Sequence, residues 1–133
     1  MEPMNHHLKS NVIWSYDYEL SSKDAISQIA SMFSGVLPVH DHEGEIILTD
    51  ETLNIFGDED VVIRLSDIEQ LYLGFDDAYP KHYIRNFGLF CQPLRITSNN
   101  GVRKTTIYLV LGYNGFNCSQ TKTLFNLLQQ ILT

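Results

Sequence analysis

The densest run of residues able to do chemistry in this 133-residue chain is HDHEGE, at positions 40–45. His40, Asp41, His42, Glu43 and Glu45 all carry atoms that can ligate a metal or move a proton. A zinc site needs three or four such groups converging at fixed distances, which a local run rarely supplies. His40 and His42 would share a face if a strand ran through them. Gly44 predicts a turn instead, so the expectation is a solvated hairpin loop that holds no metal. A small-molecule enzyme or metal-binding protein using the His40–Glu45 loop is the alternative. His6 and His7 near the start are expected to be solvated.

A second group is basic and aromatic. The segment 76–87, DDAYPKHYIRNF, breaks the strand alternation on both sides of it and holds Tyr79, Lys81, His82, Tyr83 and Arg85. Long loops on a compact scaffold often carry function. Beyond it, Asn100-Gly101 is the preferred pair for a tight hairpin turn. Centring the turn there sets Ile96 opposite Thr105 and Leu94 opposite Ile107. Arg95, Thr97, Lys104, Thr106 and Tyr108 then share the outer face. Arg95 and Lys104 become diagonal neighbours, able with Tyr108 to address one acidic surface. The expected partner-binding residues are Arg95, Lys104, Tyr108, Lys81 and Arg85.

Charge is distributed unevenly. Residues 1–77 hold all sixteen acids and three bases, a net of −13, and the remainder holds six bases and no acid. Such asymmetry steers association, although strands sorted to different sides produce it too. The expected partner is a protein or peptide, a second copy of the chain among the candidates, and no nucleic acid or cofactor is expected. No GxSxG, Walker, GxGxxG or HExxH pattern occurs, so no enzyme activity is expected. Cys91 and Cys118 lack CxxC spacing. The opening MEPMNHHLKS has no apolar core of the secretory type, which predicts a cytoplasmic protein with both thiols reduced.

The elements that must position these groups are mostly strands. Residues 1–10 read as a flexible tail and 11–133 as a single domain. Alternation predicts a strand over 12–20, with Val12, Trp14, Tyr16, Tyr18 and Leu20 on one face. A helix over 22–34, capped by Ser21, and a short strand over 36–39 follow. Ile46 and Leu48, then Leu53 and Ile55, then Val61, Ile63 and Leu65 alternate between turns at 50–51 and 57–60. A further strand carries Leu71, Leu73 and Phe75 inward. After the long hairpin, Leu124, Phe125, Leu128, Ile131 and Leu132 predict an amphipathic helix over 119–132. The fold class is mainly β with α: a curved antiparallel meander of about seven strands, an N-terminal helix insertion and a C-terminal capping helix.

That order, with GEIILTDETLNIF followed by VVIRLSDIEQL, resembles the GRAM and bacterial pleckstrin-homology-like (PH-like) families. The matching positions are Thr49, Leu53, Phe56, Ile63, Leu65 and Ile68, within roughly residues 35–132. The resemblance implies a PH-like barrel and a non-enzymatic binding module for lipid headgroups, peptides or proteins. Lipid-binding members carry a basic pocket where this chain has the acidic HDHEGE, so phosphoinositide binding does not carry over. The helix at 22–34 departs from the family plan, in which the regular helix is C-terminal.

Overall fold

A computed structural model of the chain describes residues 7–21, 38–84, 89–114 and 117–132. The helix expected at 22–34 and part of the strand expected at 36–39 lie outside the described residues. Pro38 and Val39 are not in a strand.

Among the described residues, seven strands form one open, wholly antiparallel sheet. They are β1 (Leu8–Tyr16), β2 (His42–Leu48), β3 (Thr52–Gly57), β4 (Val61–Arg64), β5 (Ile68–Leu73), β6 (Leu94–Asn99) and β7 (Lys104–Leu111). Their order across the sheet is β4-β3-β2-β1-β7-β6-β5. The two edge strands, β4 and β5, are consecutive in the chain and joined only by a 3-10 turn, Leu65–Asp67. A three-residue link reaches between opposite edges only if the sheet curls strongly, in keeping with the twist of antiparallel strands.

The concave face gathers Val12, Trp14, Ile46, Leu48, Leu53, Ile55, Leu94, Ile96, Ile107, Leu109 and Leu111 into the main core. Helix α2 (Ser119–Leu132) closes it with Leu124 and Leu128, both fully buried. Ile131 and Leu132, expected in the same apolar stripe, are exposed at the helix end. Thr121 fixes the helix to β7: its Oγ1 accepts the Leu111 N–H (2.8 Å) and donates to the Leu111 carbonyl (3.3 Å). Replacing Thr121 by Val keeps the volume but leaves a buried N–H without that acceptor. The expected loss is about 1–3 kcal/mol in urea denaturation; an unchanged midpoint would show that another group satisfies it.

The first strand differs from expectation at both ends. It begins at Leu8, inside the segment expected to be a tail, because the Leu8 side chain is buried and the His7 N–H donates to Leu48 O (2.8 Å). It ends at Tyr16, where a short helix, α1 (Asp17–Ser21), begins. Glu19 Oε1 reaches back to accept the Tyr16 N–H (2.9 Å), half of a capping box around a residue that is not a usual cap. The turn sends Tyr18 to solvent and buries Leu20. Period-two reading had put both on one face.

The convex face is partly covered. Leu20, Val39, Tyr79, Tyr83, Ile84, Tyr108 and Val110 form a second apolar cluster with Cys91 and Cys118. Strand β7 is therefore buried on both faces, which explains its continuous run IYLVL. Cys91 and Cys118 are disulfide-bonded, which corrects the expectation of free thiols. Among the described residues, no helix is long and apolar enough to cross a membrane.

Candidate functional site

The β6–β7 hairpin positions the expected partner-binding residues, but in a register displaced by two. Asn99 pairs with Lys104, Ile96 with Ile107 and Leu94 with Leu109. The loop is longer than a two-residue turn because the Asn100 side chain accepts the Val102 and Arg103 N–H groups (both 2.9 Å), and Asn99 accepts that of Gly101 (2.8 Å). These Asx contacts stabilise a wider turn. A shift of two preserves the alternation, so Arg95, Thr97, Lys104, Thr106 and Tyr108 do share a face. Arg95 now lies directly opposite Tyr108, and Lys104 is further away along the strand.

Asp76 organises this face. Its Oδ1 accepts the N–H groups of Ala78 (3.0 Å) and Tyr79 (2.8 Å). Its Oδ2 accepts Arg95 Nη1 (2.7 Å) and the Tyr108 hydroxyl (2.7 Å). Burial pushes the Asp76 carboxyl up, but the Tyr108 hydroxyl, the Tyr79 N–H and the Arg95 charge outweigh it, holding the group below the ordinary carboxylate value. Burial and then Asp76 push the Tyr108 phenol up. The Arg95 guanidinium also lies over the Tyr72 ring, 4.7 Å from its centroid, and Nη2 reaches Gln70 Oε1 (3.3 Å).

Two sequence expectations need correction here. Tyr108 is buried at 4% exposure and is not an outward anchor. It stacks on Tyr79, with ring centroids 5.7 Å apart. The 76–84 part of the irregular segment is a lid on the convex face: Tyr79 and Tyr83 are core residues, and the Tyr79 hydroxyl donates to Val39 O (3.0 Å). Lys81 is exposed on a 3-10 turn and does not line the depression formed by the other residues. Arg85 lies outside the described residues. Arg95 is half-buried against Asp76, and Lys104 faces Glu69 (3.6 Å), so both of the hairpin cations expected to bind a partner are paired.

What remains open is a shallow depression of about 400 Å³ lined by Gln70, Arg95, Thr97, Lys104, Thr106 and Tyr108, with Asp17 of α1 on its border. Its groups are mainly amide, hydroxyl and guanidinium, with the Lys104 ammonium and the Asp17 carboxylate, a set suited to hydrogen bonding. A separate cleft of about 500 Å³ runs beside the disulfide, between the start of α2 and the exposed Leu89 and Phe90. No periodicity pointed to it.

The HDHEGE segment also departs from expectation: β2 begins at His42 and runs through Gly44. Gly44 pairs with Gly57, and a Cβ on either would collide with the facing backbone carbonyl, Phe56 O or Glu43 O. Glycine here serves close strand approach rather than a turn. The acidic and imidazole groups then diverge. His40 Nδ1 turns to Pro38 O (2.7 Å), Asp41 accepts the Ser15 hydroxyl (2.7 Å), Glu45 faces Lys9 (3.5 Å), and His42 reaches Glu19 and Asp58. Among the described residues, no three His, Cys, Asp or Glu groups are placed to hold a metal ion.

Comparison with protein-family models finds no match, and comparison with curated proteins finds none either.

Proposed function

We propose that the chain is a non-enzymatic interaction domain of the PH-like kind, binding a protein or peptide in the depression on the outer face of β5, β6 and β7. The observation that carries this reading is the depression itself, about 400 Å³ of concave surface lined mainly by hydrogen-bonding side chains on regular strands. Strands hold such groups in fixed positions, and an extended peptide offers alternating donors and acceptors to meet them. The PH-like assignment draws on the antiparallel meander whose edges are linked by a three-residue turn, with a C-terminal helix against the concave face. A second copy of the chain is one candidate partner. Because Arg95 and Lys104 already face Asp76 and Glu69, recognition depends on hydrogen bonding more than on net charge.

The metal or enzyme reading of the His40–Glu45 loop has less to support it, since those side chains are committed to different partners. A cytoplasmic location fits poorly with the Cys91–Cys118 disulfide, because such bonds persist mainly in oxidising compartments.

Selection of displayed peptides against the protein tests the reading, together with sedimentation at low and high salt for self-association. Thr106→Arg fills the depression from a position that is not a partner of Asp76 and should weaken any selected peptide, or the self-association, roughly tenfold or more, about 1.4 kcal/mol. Arg95 is unsuitable as a test position because its loss unbalances Asp76. Binding that is indifferent to Thr106→Arg and Lys104→Glu would place the function elsewhere.

A further inference from the structure

His42 is held in an arrangement that the binding role does not use. Its side chain is only 12% exposed, and both ring nitrogens face carboxylates. Nε2 lies 2.8 and 2.7 Å from the two oxygens of Glu19 on α1, and Nδ1 lies 2.7 Å from Asp58 Oδ2 on the β3–β4 turn. Glu59 of the same turn is 3.9 Å from Nδ1. From β1, the Trp14 indole stacks under the imidazole at 4.3 Å, and the Tyr16 hydroxyl donates to Glu59 (3.2 Å). Ahead of the ring, His40 and Glu43 lie 3.9 Å apart.

A neutral imidazole has one N–H and one lone pair, so it can donate to only one carboxylate. Two contacts of 2.7 Å to carboxylates on opposite sides require the imidazolium. The cation also gains from the indole face below it. Each carboxylate also accepts a backbone N–H, Glu19 that of Tyr16 at the end of β1 and Asp58 that of Glu43 on β2 (both 2.9 Å). The imidazolium bridges α1 and the β3–β4 turn, beside the Tyr16–Glu59 hydrogen bond that reaches the same turn from the end of β1.

We propose that His42 is a proton-operated latch, closed when protonated, which ties α1 to the β3–β4 turn over Trp14 and lets one arm go when it loses its proton. Deprotonation sets a lone pair against one carboxylate and leaves Glu19, Asp58 and Glu59 around an uncharged ring. Burial disfavours the imidazolium, but the Asp58 and Glu19 hydrogen bonds outweigh it and raise the group above its ordinary 6.5. A raised value means the latch is fully closed below 6.5 and is lost as pH rises through the higher folded value. On the acid side, the His42 contact and the Glu43 N–H hold Asp58 below the ordinary 3.8, so the Asp58 arm persists down past that pH. The Tyr16 phenol, pushed up to about 12 by burial and by Glu59, keeps its proton throughout.

Trp14 is the chain's single tryptophan, so its emission reports on the ring stacked against it. A fluorescence titration of the whole protein should show quenched emission at low pH, with a rise whose midpoint lies above 6.5. Glu19→Gln and Asp58→Asn should each lower that midpoint, and His42→Gln should abolish the step. Quenching by acrylamide should increase several-fold on the alkaline side, as the cover over the indole loosens. The wild-type titration needs no variant to fold. A midpoint at or below 6.5, one unmoved by both carboxylate variants, or acrylamide access equal on the two sides would overturn the latch.

Discussion

Replacing Asp76 by Ala is expected to cost about 2–4 kcal/mol of stability, although the residue lies outside every strand and helix. The change orphans the Arg95 guanidinium, the Tyr108 hydroxyl and the N–H groups of Ala78 and Tyr79 together. Removing one partner of a buried ion pair costs about 3–5 kcal/mol, and the 20% exposure of the Asp76 side chain reduces that through solvent screening. Asp76→Asn should lose less, since its amide oxygen can still accept the two backbone N–H groups. The pH dependence separates the charge from the caps. A carboxyl held below its ordinary 3.8 stabilises the fold above that pH, and the contribution disappears as acid protonates it at its lower folded value. Urea midpoints for wild type and Asp76→Asn should therefore converge below that value. Curves that coincide at every pH would show that Asp76 acts through its backbone caps alone.

Reducing the Cys91–Cys118 bond should be of similar size, about 3–4 kcal/mol for a cross-link spanning 27 residues. The loss arises mainly in the unfolded chain, which regains the freedom the cross-link removed. Guanidinium denaturation with and without reductant should show a lower midpoint and a steeper slope on reduction, because the freed unfolded state exposes more surface. The Cys91→Ser, Cys118→Ser double variant should match the reduced protein and ignore reductant. Equal stability of oxidised and reduced wild type would mean that the α2 contacts of Leu124 and Leu128 hold the helix without the staple.

The local elements were legible because local rules write them. Period-two alternation marked β2 to β7 within a few residues, and the apolar spacing after Ser119 marked α2. Even the wrong hairpin register left the correct face assignment, since an error of two does not change which side a side chain takes. What the chain alone determined, then, is a mainly β domain with a C-terminal helix and the outward row Arg95, Thr97, Lys104 and Thr106. The partners of those side chains were decided only by the tertiary structure. Asp76 meets Tyr108 across 32 residues, Glu19 meets His42 across 23, and Cys91 meets Cys118 across 27. Each meeting depends on the curl that brings β1 between β2 and β7 and folds the 75–84 segment over the convex face. Alternation records which face a residue takes, but not what covers that face. For that reason Tyr108 read as an exposed anchor and is a buried one.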